Sequence, residues 1–77
     1  MTTFLRDVAL ELARADAEHD RYHSYHEAYG VMLEELDEFW EIVRQKSADR
    51  DDNEAYKELV QIAMVAWRSA LSLMPSR

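Results

Sequence analysis

The stretch Ser24–Val43, SYHEAYGVMLEELDEFWEIV, decides the fold. Its apolar residues recur every three or four positions, which is the repeat of one helix face and not the alternation of a strand. Ser24 followed three residues later by Glu27 is a capping-box start. Projected at about 100° per residue, Tyr25, Tyr29, Met32, Leu36, Phe39 and Val43 share a narrow stripe and are expected to form the main core seam. Glu34, Asp37 and Glu41 point roughly opposite and are expected in solvent. Gly30 lies inside the helix at a cost of up to about 1 kcal/mol relative to alanine, so close packing is expected there.

The flanking sequence repeats the helical pattern. Upstream, Phe4, Leu5, Val8, Leu12 and Ala15 make an apolar stripe, followed by the polar connection EHDRYHS. Downstream, SADRDDN is too polar to be core, and Asp51 with Glu54 offers a second start signal. Leu59, Ile62, Ala63, Ala66 and Leu73 then form one apolar face, with Val60, Met64, Trp67 and Leu71 forming another. The remaining strip carries Glu54, Glu58, Gln61, Arg68 and Ser72, with Val65 among them. Pro75 is expected to follow the end of this helix. The expectation is one all-α domain over residues 1–77, with helices at about 3–18, 24–46 and 53–73. A helix apolar on two faces contacts two partners, and in so short a chain one of them is expected to be a second copy.

Bulk properties point the same way. Seventy-seven residues without cysteine leave no disulfide or thiolate metal site to support a small core, so self-association is the remaining source of burial. Sixteen acidic residues against nine basic ones give a formal charge of −7, which argues against a nucleic-acid polymer or an anionic membrane as partner. A negatively charged substrate would need a cation to screen its approach. MTTFLRDVALELA has charges within any candidate leader core, and no run reaches membrane-spanning length, so a cytoplasmic protein is expected.

Glu35 and Glu38 differ from the other acidic residues of their helix. They fall on a row with Val31 and Ile42 that borders the core seam, where a bare carboxylate needs a counter-charge, a donor or a metal. Residues three apart on a helix point the same way, so the two can grip one cation. Glu58 and Gln61 have the same spacing on the third helix. Two facing helices, each offering two oxygen-bearing side chains, suit Mg²⁺, with Mn²⁺ as the alternative.

Glu35-x-x-Glu38 preceded by Glu34, in EELDEFWEIV, and Glu58-x-x-Gln61, in ELVQIAMVA, resemble the paired motifs of the MazG-type all-α nucleoside triphosphate pyrophosphohydrolases. The resemblance spans about Tyr25 to Leu73. It implies a three-helix subunit of a homodimer or homotetramer built around a four-helix-bundle core. It also implies Mg²⁺-dependent hydrolysis of an NTP or dNTP to the monophosphate and pyrophosphate, as nucleotide-pool housecleaning. Carried over, Glu35, Glu38 and Glu58 are metal ligands, with Gln61 standing where the family has aspartate, and Glu35 and Glu38 are the catalytic carboxylates. Arg68, on the same face as Gln61, is the expected cation for substrate phosphates, and Trp40 the expected aromatic beside the base.

Gln61, together with the lack of a further Lys- and Asn-bearing helix after the third, keeps a second expectation open. This is a catalytically degenerate helical oligomer that binds nucleotide or serves as a protein-interaction module. A third is an unrelated helical dimer in which Glu35 and Glu38 pair with Arg68 of a neighbour. His19, His23 and His26 match no HExxH pattern and are expected at the surface or as capping residues. His26 and Tyr29 could also line a nucleotide pocket.

Overall fold

The computed structural model describes residues 2–74 and comprises α1 (Thr2–Glu18), α2 (Tyr25–Val43) and α3 (Asp52–Leu73), with one 3₁₀ turn at Ser47–Asp49. No strand occurs among the described residues, so the all-helical expectation holds. Pro75 lies outside the described residues. No described helix is long and apolar enough to cross a membrane.

The expected start signals operate. Ser24 Oγ accepts the Glu27 amide at 3.0 Å, while Glu27 Oε1 reaches back to the His23 amide at 2.6 Å. The Asp51 carboxylate accepts the amides of Asn53 at 2.9 Å and Glu54 at 3.4 Å, filling two of the orphan donors at the start of α3. The second helix stops at Val43 rather than near residue 46. Arg50, from the polar turn, supplies the reason: its Nη2 donates to the carbonyls of Val43 at 2.8 Å and Gln45 at 3.1 Å. Those carbonyls are satisfied without another helical turn.

α3 is the central helix. α1 and α2 each pack on it, and their backbones do not approach one another. The core joins Val8, Leu12 and Ala15 of α1 to Val60, Met64 and Val65 of α3. Phe4, Tyr22, Val31, Met32 and Ala63 pack at its margin. Leu5, expected in the α1 stripe, is exposed.

Two faces are turned differently from expectation. On α2, Tyr25 is 66% and Tyr29 67% exposed, Leu36 and Val43 are also exposed, and Met32 and Phe39 are half-buried. The inward side is the neighbouring row, with Ala28 buried and Val31, Glu35 and Ile42 half-buried. The helix is apolar over more than half its circumference, so its repeat identifies a stripe without saying which neighbour covers it. On α3, the strip that carries the polar residues is the one that faces inward, while Leu59, Trp67 and Leu71 of the two expected apolar faces are exposed. Val65 is the most buried large side chain at 1% exposure, Arg68 is buried, and Glu58, Gln61 and Ser72 are half-buried. These polar groups tolerate burial because most find partners on α1 or the connection; Ser72 Oγ, for example, accepts the Tyr22 amide at 3.2 Å.

Gly30 also departs from expectation. A Cβ built there meets nothing within 4 Å, so no close approach accounts for the glycine. Glu34, Asp37 and Glu41 are exposed as expected.

Candidate metal centre

Because the Glu35 row turns inward, α2 carries its two carboxylates toward α3. One oxygen each from Glu35, Glu38 and Glu58 lies within 4.8 Å of the others. Glu35 and Glu58 are half-buried, and Glu38 is exposed at the mouth of the cluster. Oε2 of Glu35 and Oε2 of Glu58 are buried and accept no hydrogen bond.

Three carboxylates this close cannot all hold their charge unaided, since burial and mutual repulsion both favour the neutral form. Desolvation, then the charge of Glu38, then the Glu35 carboxyl push Glu58 up to about 7. Desolvation, followed by Glu38, also raises Glu35, although a hydrogen bond with Glu58 works against the rise. The two carboxyls are near enough for a proton on Glu58 to bridge to Glu35, but no donor among the described residues reaches the buried oxygens. The pair therefore takes a shared proton or a cation. All three groups offer hard carboxylate oxygens, the donor type that Mg²⁺ or Mn²⁺ takes.

Gln61 stands one turn after Glu58 and lines, with Glu35, a concavity of about 380 Å³ between α1, α2 and α3. Arg14, Tyr22, Met64 and Arg68 also line it. The Gln61 Nε2 donates to Glu11 Oε2 at 2.8 Å. Glu11 is in turn gripped by Arg14, whose Nη2 lies 2.7 Å from the same oxygen and whose Nε lies 3.1 Å from each of the two.

Arg68, expected to face substrate phosphates, holds the end of α1 instead. Its residue is 2% exposed. Nε donates to Asp16 Oδ1 at 2.8 Å, and Nη2 donates to the carbonyls of His19 at 2.7 Å and Asp20 at 2.9 Å. The guanidinium also lies 5.0 Å from the centre of the Tyr22 ring. Arg21 and then Arg68 hold the Asp16 carboxyl down at about 2. These carbonyls lie just past Glu18, the last residue of α1, where a cation also complements the helix dipole. This burial also removes the alternative in which Arg68 of a neighbouring copy pairs with Glu35 and Glu38.

Trp40 is 57% exposed and, at about 200° around α2 from Glu38, lies on the far side of the helix from the cluster. It does not share the carboxylate site within the subunit. His19, His23 and His26 are exposed, and none belongs to the acidic cluster. His26 and Tyr29 line a shallow depression with Tyr25, separate from the carboxylates.

No protein-family model, curated protein or solved structure matches the chain.

Glu11 and Arg14 join the site without belonging to either acidic motif, although the sequence carries a signal for them. Glu11 sits three residues after Val8 and four before Ala15, inside the buried stripe of α1, where a carboxylate requires a partner. Arg14, three residues on, is such a partner. Asp16 gave no comparable signal, because its role depends on where Arg68 arrives from α3.

Proposed function

We propose that this chain is the subunit of a Mg²⁺-dependent nucleoside triphosphate pyrophosphohydrolase that adds water across the α–β phosphoanhydride, giving a nucleoside monophosphate and pyrophosphate. The supporting observation is the convergence of Glu35, Glu38 and Glu58 within 4.8 Å, with two of their oxygens buried and without a donor among the described residues. The MazG-like spacing of Glu35-x-x-Glu38 and Glu58-x-x-Gln61 agrees with that chemistry.

Glu35, Glu38 and Glu58 would hold the ion, with Gln61 at the edge of the set. When bound, such an ion screens phosphate charge and lowers the pKa of nearby water. Glu38, the exposed member, is the carboxylate available to accept a proton from the attacking water. Glu35 and Glu58 fix the position of the charge by their burial. Arg14 lines the same concavity as Glu35, but Glu11 and Glu18 already engage its guanidinium.

The proposal includes self-association. The accessible surface is 5824 Å² for a 9.1 kDa chain, whereas a compact monomer of that mass exposes about 4,900 Å². The excess, about 900 Å², is close to one partner's share of a standard interface, about 800 Å². Tyr25, Tyr29, Leu36 and Trp40 on α2, with Leu59 on α3, are the exposed apolar residues a second copy would cover.

The commitment of Arg68 to α1 and the neutral Gln61 favour a second reading, in which the bundle binds a cation and nucleotide without turnover. Incubating the protein with a panel of NTPs and dNTPs plus Mg²⁺, while assaying pyrophosphate, separates the two. Pyrophosphate release that is lost in Glu38→Gln supports the enzyme. No release from any nucleotide, with Mg²⁺ still raising the melting temperature, supports the binding module. No effect of Mg²⁺ on activity or melting would remove the cation site from both. In the binding-module case, Gln61→Asp is expected to restore release.

A further inference from the structure

Gln61 is the only member of the quartet whose contribution depends on which end of its side chain faces the carboxylates. Its amide nitrogen would repel a cation, and its oxygen would bind one. The terminal torsion of glutamine is broad and nearly two-fold, so the side chain itself does not choose. Glu11 supplies the choice. Gln61 Nε2 donates to Glu11 Oε2 at 2.8 Å, and the reversed amide would set its oxygen against a carboxylate, acceptor to acceptor.

Glu11 is itself fixed as an acceptor. Arg14 bonds both of its oxygens, at 2.7 and 3.1 Å, and is anchored in turn to Glu18 through Nη1 at 2.7 Å. The Arg14 and Gln61 hydrogen bonds together hold the Glu11 carboxyl below its ordinary range. On the other side of the Gln61 amide, the oxygen accepts no hydrogen bond among the described residues. Gln61 lies one helical turn from Glu58 and lines the same concavity as Glu35. Two buried oxygens of that cluster, one on Glu35 and one on Glu58, have no donor among the described residues.

We infer that Glu11 is a positioning residue for the cation site: it orients the Gln61 amide so that the oxygen, not the nitrogen, is turned toward Glu35, Glu38 and Glu58. The inference rests on the cation reading proposed above. Glu11 does not touch the ion; it acts through Gln61. With the amide so oriented, Gln61 completes an all-oxygen set that carries three negative charges.

The test is Mn²⁺ binding by calorimetry on the full chain at pH 8, for wild type, Glu11→Ala, Glu11→Gln, Gln61→Ala and the Glu11→Ala/Gln61→Ala double variant. Melting curves in chelator check that each variant folds. Glu11→Ala is expected to weaken binding about tenfold, the lower end of what outer partners of metal ligands contribute. Glu11→Gln keeps an acceptor for Gln61 and is expected to stay within about threefold of wild type. In the Gln61→Ala background, removing Glu11 is expected to change nothing further. Wild-type affinity in Glu11→Ala would overturn the inference, as would an undiminished loss in the Gln61→Ala background, which would make Glu11 a distant charge only. A tenfold loss in Glu11→Gln would overturn it for the same reason. Absence of Mn²⁺ binding by the wild type would overturn the cation reading and this inference with it, whereas binding insensitive to Glu11 sinks the inference alone.

Discussion

Replacing Glu58 by glutamine should stabilise the cation-free protein at alkaline pH and leave it almost unchanged in mild acid. An acid whose pKa is raised on folding binds a proton more tightly in the native state than in the unfolded chain. Its stabilising contribution is therefore present at low pH and disappears as pH rises through the folded value. For Glu58 the ordinary value of 4.5 rises to about 7, so the loss develops between these limits. At about 1.4 kcal/mol per pH unit the whole interval corresponds to about 3 kcal/mol, an upper bound because Glu58 is only half-buried. Glutamine keeps the shape and removes the titration. Urea unfolding in chelator, at pH 5 and pH 8, should show wild type losing about 2–3 kcal/mol relative to Glu58→Gln across that range. Adding Mg²⁺ at pH 8 should restore wild type and not the variant, because the ion replaces the missing proton. A difference between the two proteins that is the same at both pH values would refute the account of Glu35, Glu38 and Glu58 as a charge cluster short of one cation.

Arg68→Met should cost about 3 kcal/mol in urea unfolding at every pH from 5 to 8, because it leaves the carbonyls of His19 and Asp20, just past α1, without their donor; a loss below about 1 kcal/mol would return Arg68 to candidacy as a substrate residue. Gly30→Ala should stabilise by about 0.5–1 kcal/mol, read as a higher melting temperature, since a Cβ there meets nothing within 4 Å. A lower melting temperature would mean that another copy covers that face. Leu36→Asp combined with Trp40→Asp should reduce the mass measured by light scattering while preserving helicity. A wild type that is already monomeric would remove the self-association proposal.

The helices were legible because their signals are local. Ser24 with Glu27 and Asp51 with Glu54 cap the helices they precede, and the three- and four-residue repeat leaves no room for strands. The spacing of Glu35 and Glu38 puts both on one side of α2, and their meeting with Glu58 followed only from taking α2 and α3 as facing helices. What the repeat could not say was which apolar stripe of α2 meets α3. The stripe richest in large side chains leaves Tyr25, Tyr29, Leu36 and Val43 outside, and the row bearing Glu35 turns in. Arg68 shows the limit most clearly: its partners Asp16, His19 and Asp20 lie about fifty residues earlier, and only the docking of α1 on α3 brings them within 3 Å of its guanidinium. The same docking joins Glu11 to Gln61. Local sequence thus determined the helices and the acidic spacing, through caps and periodicity that act within a turn or two. The tertiary structure decided which faces are buried and which polar groups find partners, because those depend on contacts between residues far apart in the chain.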